Sequence, residues 1–374
     1  MGAVHGTCDE RFESVRTTFA SNLEQGLDVG ASVAVYLAGE PVVDLWGGTV
    51  DDDGTPWAED TIINVWSTTK TMTALCALVL ADRGELDVDA PVARYWPAFA
   101  AAGKEGVLVR HLLSHTAGLP GWDEPMEAED LYDWEKATSL LAAQAPWWEP
   151  GTVSGYHAVT QGYLVGEVVR RVCGATVGEF FAAEVAGPLG ADFHIGTPPE
   201  HDDRVARVIP PPVVGLTPDP GSMAVRALSN PAMDASQSWD VAWRRAEIPA
   251  AGGHGNARSV AAVQSVVACG GEARGVRLLS EEGCDRIFRV QCDGTDLVLG
   301  MPLRHGIGYG LPSPDIPLSP SERACYWGGW GGSIVVVDLD QRLCVSYVMN
   351  RMGEGTQGDL RGASLVFAAY AALA

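Results

Sequence analysis

The chain of 374 residues is long enough for one large or two medium compact units with a sizeable core. Its composition, 47% apolar and 20% charged, is that of a globular protein, and the net charge of −23 argues against nucleic acid or an anionic membrane as a partner. No stretch approaches the roughly 18 consecutive apolar residues of a membrane helix. The charged residues among the first 25 positions do not fit a signal peptide, so we expect a cytoplasmic protein. The eight cysteines include no C-x-x-C pair, and we expect free thiols.

The predicted elements are strands at both ends of the chain and helices in the middle. In chain order they are a helix over 9–25, strands over 31–38 and 41–46, a buried helix over 67–83, helices over 128–144, 157–172, 257–269 and 281–290, strands over 334–339 and 343–349, and a helix over 360–372. The stretch 209–219 is too rich in proline to be regular.

This order predicts an α+β fold rather than the alternating pattern of a doubly wound sheet. An antiparallel sheet built from both chain ends, flanked by the terminal helices, would form one lobe from residues of about 1–66 and 251–374. The helical middle, about 67–250, would form a second lobe, and the active site would lie in the cleft between them.

The first candidate for chemistry is Ser67-Thr68-Thr69-Lys70, at the start of the buried helix. Residues i and i+3 share a helix face, so Lys70 is expected beside the Ser67 hydroxyl. A buried lysine with a lowered pKa can take the serine proton, and the helix N-terminus favours a developing oxyanion. The motif alone is weak, but the chain has only three lysines, and one of them stands here.

Two further segments agree with this interpretation. Residues 154–157, Ser-Gly-Tyr-His, stand just before a predicted helix, and Tyr156 there can act as a proton shuttle. Residues 326–333, Tyr-Trp-Gly-Gly-Trp-Gly-Gly-Ser, open a strand, and their glycines let a ligand approach the backbone closely.

In their order and separation, the three segments resemble those of the serine β-lactamase-like superfamily, which includes class C β-lactamases and penicillin-binding proteins. The chain is most similar to its esterase branch, the family VIII carboxylesterases. The resemblance runs from about residue 10 to 370 and includes the stretch 110–119, Arg-His-Leu-Leu-Ser-His-Thr-Ala-Gly-Leu, and the stretch 347–352.

The resemblance implies a mixed α/β part and a helical part with the nucleophile between them. Ser67 matches the acylated serine, Lys70 its partner and Tyr156 the tyrosine of the second motif. By the same match, the backbone N–H groups of Ser67 and Trp330 would form the oxyanion hole. The candidate substrate-binding residues are Trp66, His157, His254, Trp327, Gly328 and Gly329.

Two positions depart from the β-lactamase pattern. Trp327 stands where β-lactamases have the lysine that helps to hold a substrate carboxylate, and it offers an apolar face instead. Ala158 stands where the second motif usually has asparagine. Both changes favour neutral esters over antibiotics or peptidoglycan.

Other interpretations are weaker. His111 and His115 are spaced as metal ligands on a helix would be, but Leu112 occupies the glutamate position of H-E-x-x-H. No G-x-S-x-G or phosphate-binding glycine loop occurs. A non-catalytic binding protein of this fold stays a minor alternative, as does a β-lactamase or D-amino-acid peptidase.

The sequence therefore predicts a serine esterase that acts through an acyl-enzyme and needs no metal or organic cofactor. Its partners would be a small ester or other acyl donor, and water. If an alcohol or amine accepts the acyl group instead, the protein would be an acyltransferase or transamidase.

Overall fold

The computed structural model describes residues 3–51, 53–212, 219 and 221–374, whose strands and helices are numbered in chain order. The strands are β1 Val4–Cys8, β2 Gly30–Leu37, β3 Glu40–Gly48, β4 Ile63–Asn64, β5 Phe193–His194, β6 His254–Gly255, β7 Glu272–Ala273, β8 Val276–Arg277, β9 Cys292–Thr295, β10 Pro302–His305, β11 Ala324–Gly328, β12 Ile334–Asp338 and β13 Leu343–Met349. The helices are α1 Glu13–Glu24, α2 Thr69–Asp82, α3 Val109–Leu113, α4 Trp134–Ala143, α5 Thr160–Cys173, α6 Val177–Phe181, α7 Gly187–Leu189, α8 Met223–Leu228, α9 Val241–Arg245, α10 Ala257–Ala268, α11 Glu281–Asp285 and α12 Leu360–Ala371.

Both ends of the chain contribute to one antiparallel sheet of six strands, in the order β1–β3–β2–β13–β12–β11. The two ends meet where β13 pairs with β2, with Val345 opposite Val35. Every residue of β11, β12 and β13 is buried, and β-branched residues dominate β12. A strand covered on both faces reads as a continuous apolar run rather than an alternating one.

Helices cover the two faces of this sheet. Gly362 of α12 lies so close to Tyr347 that an added Cβ would stand 3.2 Å from its ring. On the neighbouring strand, Ser32 lies opposite Val348 and accepts a 3.2 Å hydrogen bond from the Ala257 N–H of α10. Because successive residues of a strand point to opposite faces, α12 and α10 lie on different sides of the sheet.

The helix that carries the S-x-x-K sequence is buried almost throughout. Its segment begins as a 3₁₀ turn at Trp66–Thr68, continues as α2, and is followed by Gly84 at φ +75°. Just before it, β4 pairs with β6, which also pairs with β5. This small sheet ties the start of α2 to the end of the helical middle.

The α+β class, the strands β2, β3, β12 and β13 and the helices α1, α2, α5, α10 and α12 are confirmed, with boundaries that differ by a few residues. The α-helix predicted over 128–144 covers only Trp134–Ala143, and the one predicted over 281–290 covers only Glu281–Asp285. The sequence analysis missed β1 and the short strands β4 to β10, because strands of this length carry little periodicity. Residues 213–218 of the proline-rich stretch lie outside the described residues. The division into two lobes at the stated boundaries stays a prediction.

None of the described helices is both long enough and apolar enough to cross a membrane. The cytoplasmic location stays a prediction.

Candidate active site

Ser67 lies in the 3₁₀ turn directly before α2, in a strained and well-braced segment. The preceding residue, Trp66, has φ +51°, a left-handed conformation that costs a non-glycine residue about 1–3 kcal/mol. The segment is held from the other end of the chain, since the Ser333 hydroxyl donates to the Val65 carbonyl at 2.8 Å. Such strain persists only where the surrounding contacts impose it, as it does at many functional sites.

Two side chains meet the Ser67 hydroxyl. Lys70 Nζ lies 2.9 Å from Ser67 Oγ, and the Tyr156 hydroxyl lies 2.6 Å from the same oxygen. Lys70 Nζ also donates to the carbonyls of Ala158, at 2.6 Å, and Ala250, at 3.0 Å. All three reactive groups are buried, with at most 7% of each residue exposed.

Burial sets the protonation of this group. It lowers the pKa of Lys70 well below its ordinary range, since a low-dielectric site disfavours the ammonium. Burial raises the pKa of Tyr156, against the opposing effect of its hydrogen bond with Ser67. The arrangement favours a neutral amine and a neutral phenol around the hydroxyl.

The glycines of the third segment allow close approach of three chain segments. A Cβ on Gly329 would stand 2.4 Å from the Val65 carbonyl oxygen, and one on Gly328 would stand 2.3 Å from the backbone of Gln357. Contacts this short do not occur between real atoms, so glycine is required at both positions. The end of β11 can therefore lie against the backbone just before Ser67.

Two backbone donors near the site are left free. Neither the Ser67 N–H nor the Trp330 N–H donates a hydrogen bond to a residue within the described part of the chain. Ser67 and Trp330 line the same cavity, and an oxyanion hole requires two unpaired N–H groups that face one point.

A cavity of about 310 Å³ opens beside Ser67. Its walls include Trp66, Trp122, Leu228, Met233 and Trp330, and the rings of Trp66 and Trp330 pack edge to face with centroids 5.0 Å apart. Among the described residues that line it, none carries a charged side chain. The cavity therefore suits an uncharged, apolar group.

Of the predicted substrate-binding residues, Trp66 lines this cavity, whereas Trp327 does not and packs against Tyr156, with ring centroids 6.0 Å apart. The Trp327 ring is 2% exposed and stacks on His115, with centroids 5.1 Å apart. Gly328 and Gly329 are not among the residues that line the cavity.

His157 and His254 are fully buried and do not line the cavity, so the structure does not support direct substrate contact by either ring. His157 Nδ1 donates to the Gly155 carbonyl at 2.5 Å, while its Nε2 accepts from the Leu119 N–H at 3.0 Å. Burial lowers the pKa of His157 to about 4. His254 Nδ1 contacts the Gly252 carbonyl at 2.9 Å.

His111 and His115, whose spacing would suit two metal ligands on one helix face, do not share a helix. Helix α3 ends at Leu113, and His115 lies beyond it with φ +59°. Within the described ranges, no group of three or more His, Cys, Asp or Glu side chains is arranged to hold a metal ion.

Three features around Ser67 are not predicted by the sequence. His115, whose ring stacks on Trp327, is recognisable in the sequence only as part of a motif. Asp296, whose Oδ1 accepts a 3.0 Å hydrogen bond from the Tyr156 N–H, carries no signal, because nothing in the sequence distinguishes it from other aspartates. The residues 227–233, which line one side of the cavity, belong to a segment without a recognisable motif.

Comparison with known proteins supports the resemblance inferred from the motifs. The Beta-lactamase family model matches residues 19–369. The esterase/beta-lactamase LipL of Mycobacterium tuberculosis is 37% identical over 366 residues, which cover 93% of this chain and 83% of that protein.

Two solved structures resemble the whole chain. The crystal structure of a family VIII carboxylesterase is 44% identical, with a TM-score of 0.93 and coverage of 99% of this chain and 100% of that one. A penicillin-binding protein homolog from Caulobacter crescentus is 37% identical, with a TM-score of 0.92 and the same coverage. The β-lactamase-like fold predicted from the sequence is confirmed. The chain belongs to the Beta-lactamase family.

Proposed function

We propose that this protein hydrolyses carboxylic esters through an acyl-enzyme on Ser67. The observation that carries the proposal is the position of Ser67 Oγ, 2.9 Å from Lys70 Nζ and 2.6 Å from the Tyr156 hydroxyl. The names of two relatives, an esterase/beta-lactamase and a family VIII carboxylesterase, agree with this activity.

Lys70 is the general base of the proposed mechanism. A neutral amine has two N–H groups and one lone pair, and two carbonyls, those of Ala158 and Ala250, accept from Nζ. The lone pair is then left for the Ser67 O–H. Lys70 takes this proton as Ser67 Oγ attacks the ester carbonyl carbon, and the N–H groups of Ser67 and Trp330 stabilise the resulting oxyanion.

Tyr156 is the proton shuttle. Its O–H protonates the departing alkoxide as the tetrahedral intermediate collapses to the acyl-enzyme, and the phenolate that remains is stabilised by the Lys70 ammonium. The phenolate then takes a proton from water, and the hydroxide attacks the acyl carbon. Ser67 Oγ leaves and recovers its proton from Lys70, so that all three groups return to their starting states.

The substrate of this reaction is a neutral ester with an apolar acyl or alcohol part. The uncharged lining of the cavity supports this class, because a carboxylate buried there would lack a partner. Trp327, at the position of the β-lactamase lysine, cannot supply a positive charge to pair with such a carboxylate. Transfer of the acyl group to an alcohol or amine is the alternative outcome, since an apolar cavity can hold such an acceptor as well as water.

The test is turnover of p-nitrophenyl acetate and butyrate, with and without a panel of alcohols and amines, followed by intact-protein mass. We expect turnover in water and a transient acyl adduct on Ser67. Ser67→Ala should lose at least about a thousandfold in kcat, while Ser139→Ala, at an exposed serine, should match the wild type.

Three results would change the conclusion. Full activity of Ser67→Ala would refute the mechanism. An adduct that persists until an alcohol or amine is added would identify a transferase. Hydrolysis of a chromogenic cephalosporin at a rate rivalling that of the esters would indicate a β-lactamase.

A further inference from the structure

The backbone around Tyr156 is held by three consecutive N–H groups. The Gly155 N–H donates to the His115 carbonyl at 3.0 Å, and the His157 N–H donates to His115 Nδ1 at 3.1 Å. Between them, the Tyr156 N–H donates to Asp296 Oδ1 at 3.0 Å. Tyr156 lies in no helix or strand, so these three hydrogen bonds take the place of the backbone hydrogen bonds of a helix or sheet.

Asp296 is built into the loop between β9 and β10. Its side chain is fully buried, and Oδ1 also accepts from the N–H groups of Val298, at 3.0 Å, and Leu299, at 2.9 Å. The same loop donates to the tyrosine segment, from the Leu297 N–H to the Ser154 carbonyl at 2.9 Å. A buried carboxylate is tolerated only when donors compensate its charge, and here one of the three donors is the backbone of Tyr156.

The second carboxylate oxygen faces a packed aromatic group. Asp296 Oδ2 lies 3.9 Å from His305 Nε2, too far for a hydrogen bond. The His305 ring packs against His115 and Trp327, with centroids 5.3 and 5.8 Å apart. The centroids of the Trp327 and Tyr156 rings are 6.0 Å apart, so His115, His305, Trp327 and Tyr156 pack as one aromatic cluster beside Asp296.

We propose that Asp296 is a positioning residue for Tyr156, which sets through its carboxylate where the phenol stands relative to Ser67. The inference rests on the proposed function of Tyr156 as the proton shuttle. The backbone N–H of Tyr156 is fixed by Oδ1 and its hydroxyl ends 2.6 Å from Ser67 Oγ, so a displacement of the carboxylate moves the phenol. A misplacement of about 1 Å at a reacting group can lower a rate about a hundredfold.

Two substitutions separate placement from charge. Asp296→Asn keeps an oxygen at the position of Oδ1 and removes the charge, whereas Asp296→Glu keeps the charge and moves the oxygens by one methylene. We expect Asp296→Asn to retain kcat for p-nitrophenyl butyrate within about fivefold of the wild type. Asp296→Glu should lose about ten- to a hundredfold in kcat with little change in KM. Asp293→Asn, at a largely exposed carboxylate on the adjoining strand, is the control and should match the wild type.

The measurement is kcat and KM at a temperature where circular dichroism and the melting curve show each variant folded, together with the rate of acyl-adduct formation on Ser67 by intact mass. Wild-type kcat in a folded Asp296→Glu would overturn the proposal. So would a large loss of kcat in a folded Asp296→Asn, which would mean that the charge matters rather than the placement. If Asp296→Glu does not fold, Asp296→Ala takes its place: it removes the acceptor of the Tyr156 N–H and should show the same loss of kcat with little change in KM, and wild-type kcat in a folded Asp296→Ala would overturn the proposal.

The same experiment separates this inference from the proposed function. If the wild type forms no adduct on Ser67, the proposed function itself fails. If the wild type turns over as expected and Asp296→Glu behaves like it, only the role of Asp296 is rejected.

Discussion

Lys70 is the residue whose chemistry depends most on its surroundings. It is 1% exposed, and its Nζ contacts one hydroxyl and two carbonyls, without a carboxylate among its hydrogen-bond partners in the described ranges. A surface lysine has a pKa of about 10.4 and would be charged at neutral pH. Burial lowers the pKa of Lys70 well below that range, which makes the amine available as a base.

The pH dependence of activity should follow from this pKa. Only the neutral amine accepts the Ser67 proton, so kcat/KM should rise with pH as Lys70 loses its proton and then level off. Lys70→Arg keeps a guanidinium that stays protonated at every accessible pH, and we expect it to lose about 10²- to 10⁴-fold in kcat/KM without that plateau. The measurement is kcat/KM for p-nitrophenyl acetate between about pH 5 and 9.

Lys136→Arg is the matched control, since Lys136 pairs with Asp130 at the surface. It should give the wild-type profile. A Lys70→Arg variant with an unchanged profile would mean that another group is the base.

At the scale of elements, the end of β11 and the start of α2 determine the site together. The Thr68 and Ser333 hydroxyls lie 2.9 Å apart, and the Gly358 N–H donates to the Gly329 carbonyl at 3.1 Å. At Gly329 the segment after β11 lies so close to the backbone before α2 that there is no room for a side chain.

Gly329→Ala should therefore damage both stability and activity. Its Cβ would stand 2.2 Å from Ser333 Oγ and 2.4 Å from the Val65 carbonyl oxygen, so one of the segments must shift. We expect a loss of about 2–4 kcal/mol in the free energy of unfolding, measured with urea, and a loss of esterase activity in the folded fraction.

Gly106→Ala is the control. Nothing described lies within 4 Å of a Cβ at Gly106, and its φ is not in the left-handed region, so this variant should be within about 1 kcal/mol of the wild type. Equal behaviour of the two variants would contradict the packing argument.

At the scale of the whole molecule, a buried ion pair fastens α12 to the first part of the chain. Arg361 Nη1 lies 2.9 Å from Asp28 Oδ1, and the two side chains are 9% and 0% exposed. Tyr347 of β13 donates to the same carboxylate at 2.5 Å. The two residues are 333 positions apart in the sequence, so the contact joins the segment before β2 to the last helix of the chain.

Arg361→Met should destabilise the whole fold. It leaves Asp28 buried without its cation, which costs about 3–5 kcal/mol in the free energy of unfolding. Arg361 Nη2 also donates to the Gly331 carbonyl at 2.7 Å, next to Trp330, so kcat per folded molecule should fall as well. Arg323→Met, which removes an exposed ion pair with Asp285, should cost no more than about 1 kcal/mol. Equal losses in the two variants, measured by urea unfolding, would show that burial adds nothing.

The long elements and the reactive residues could be predicted from the sequence, because both depend on local pattern. A buried helix was predicted over 67–83, and helical spacing alone indicated that Lys70 would stand beside Ser67. The short strands, the left-handed φ of His115 and the cavity wall at 227–233 could not be predicted, since no periodicity or motif distinguishes them.

By itself the sequence determined the fold class, the family resemblance and the identity of the candidate nucleophile, base and shuttle. Only the tertiary structure decided that the Tyr156 hydroxyl, 89 positions from Ser67, donates to Ser67 Oγ, the same oxygen that Lys70 Nζ contacts. It also decided that the Tyr156 N–H donates to Asp296, 140 positions away. It also decided that His157 and His254 are packed away from the cavity. The physical reason is that spacing along the chain determines which face of an element a side chain shares, whereas contacts between distant segments depend on how the whole core packs.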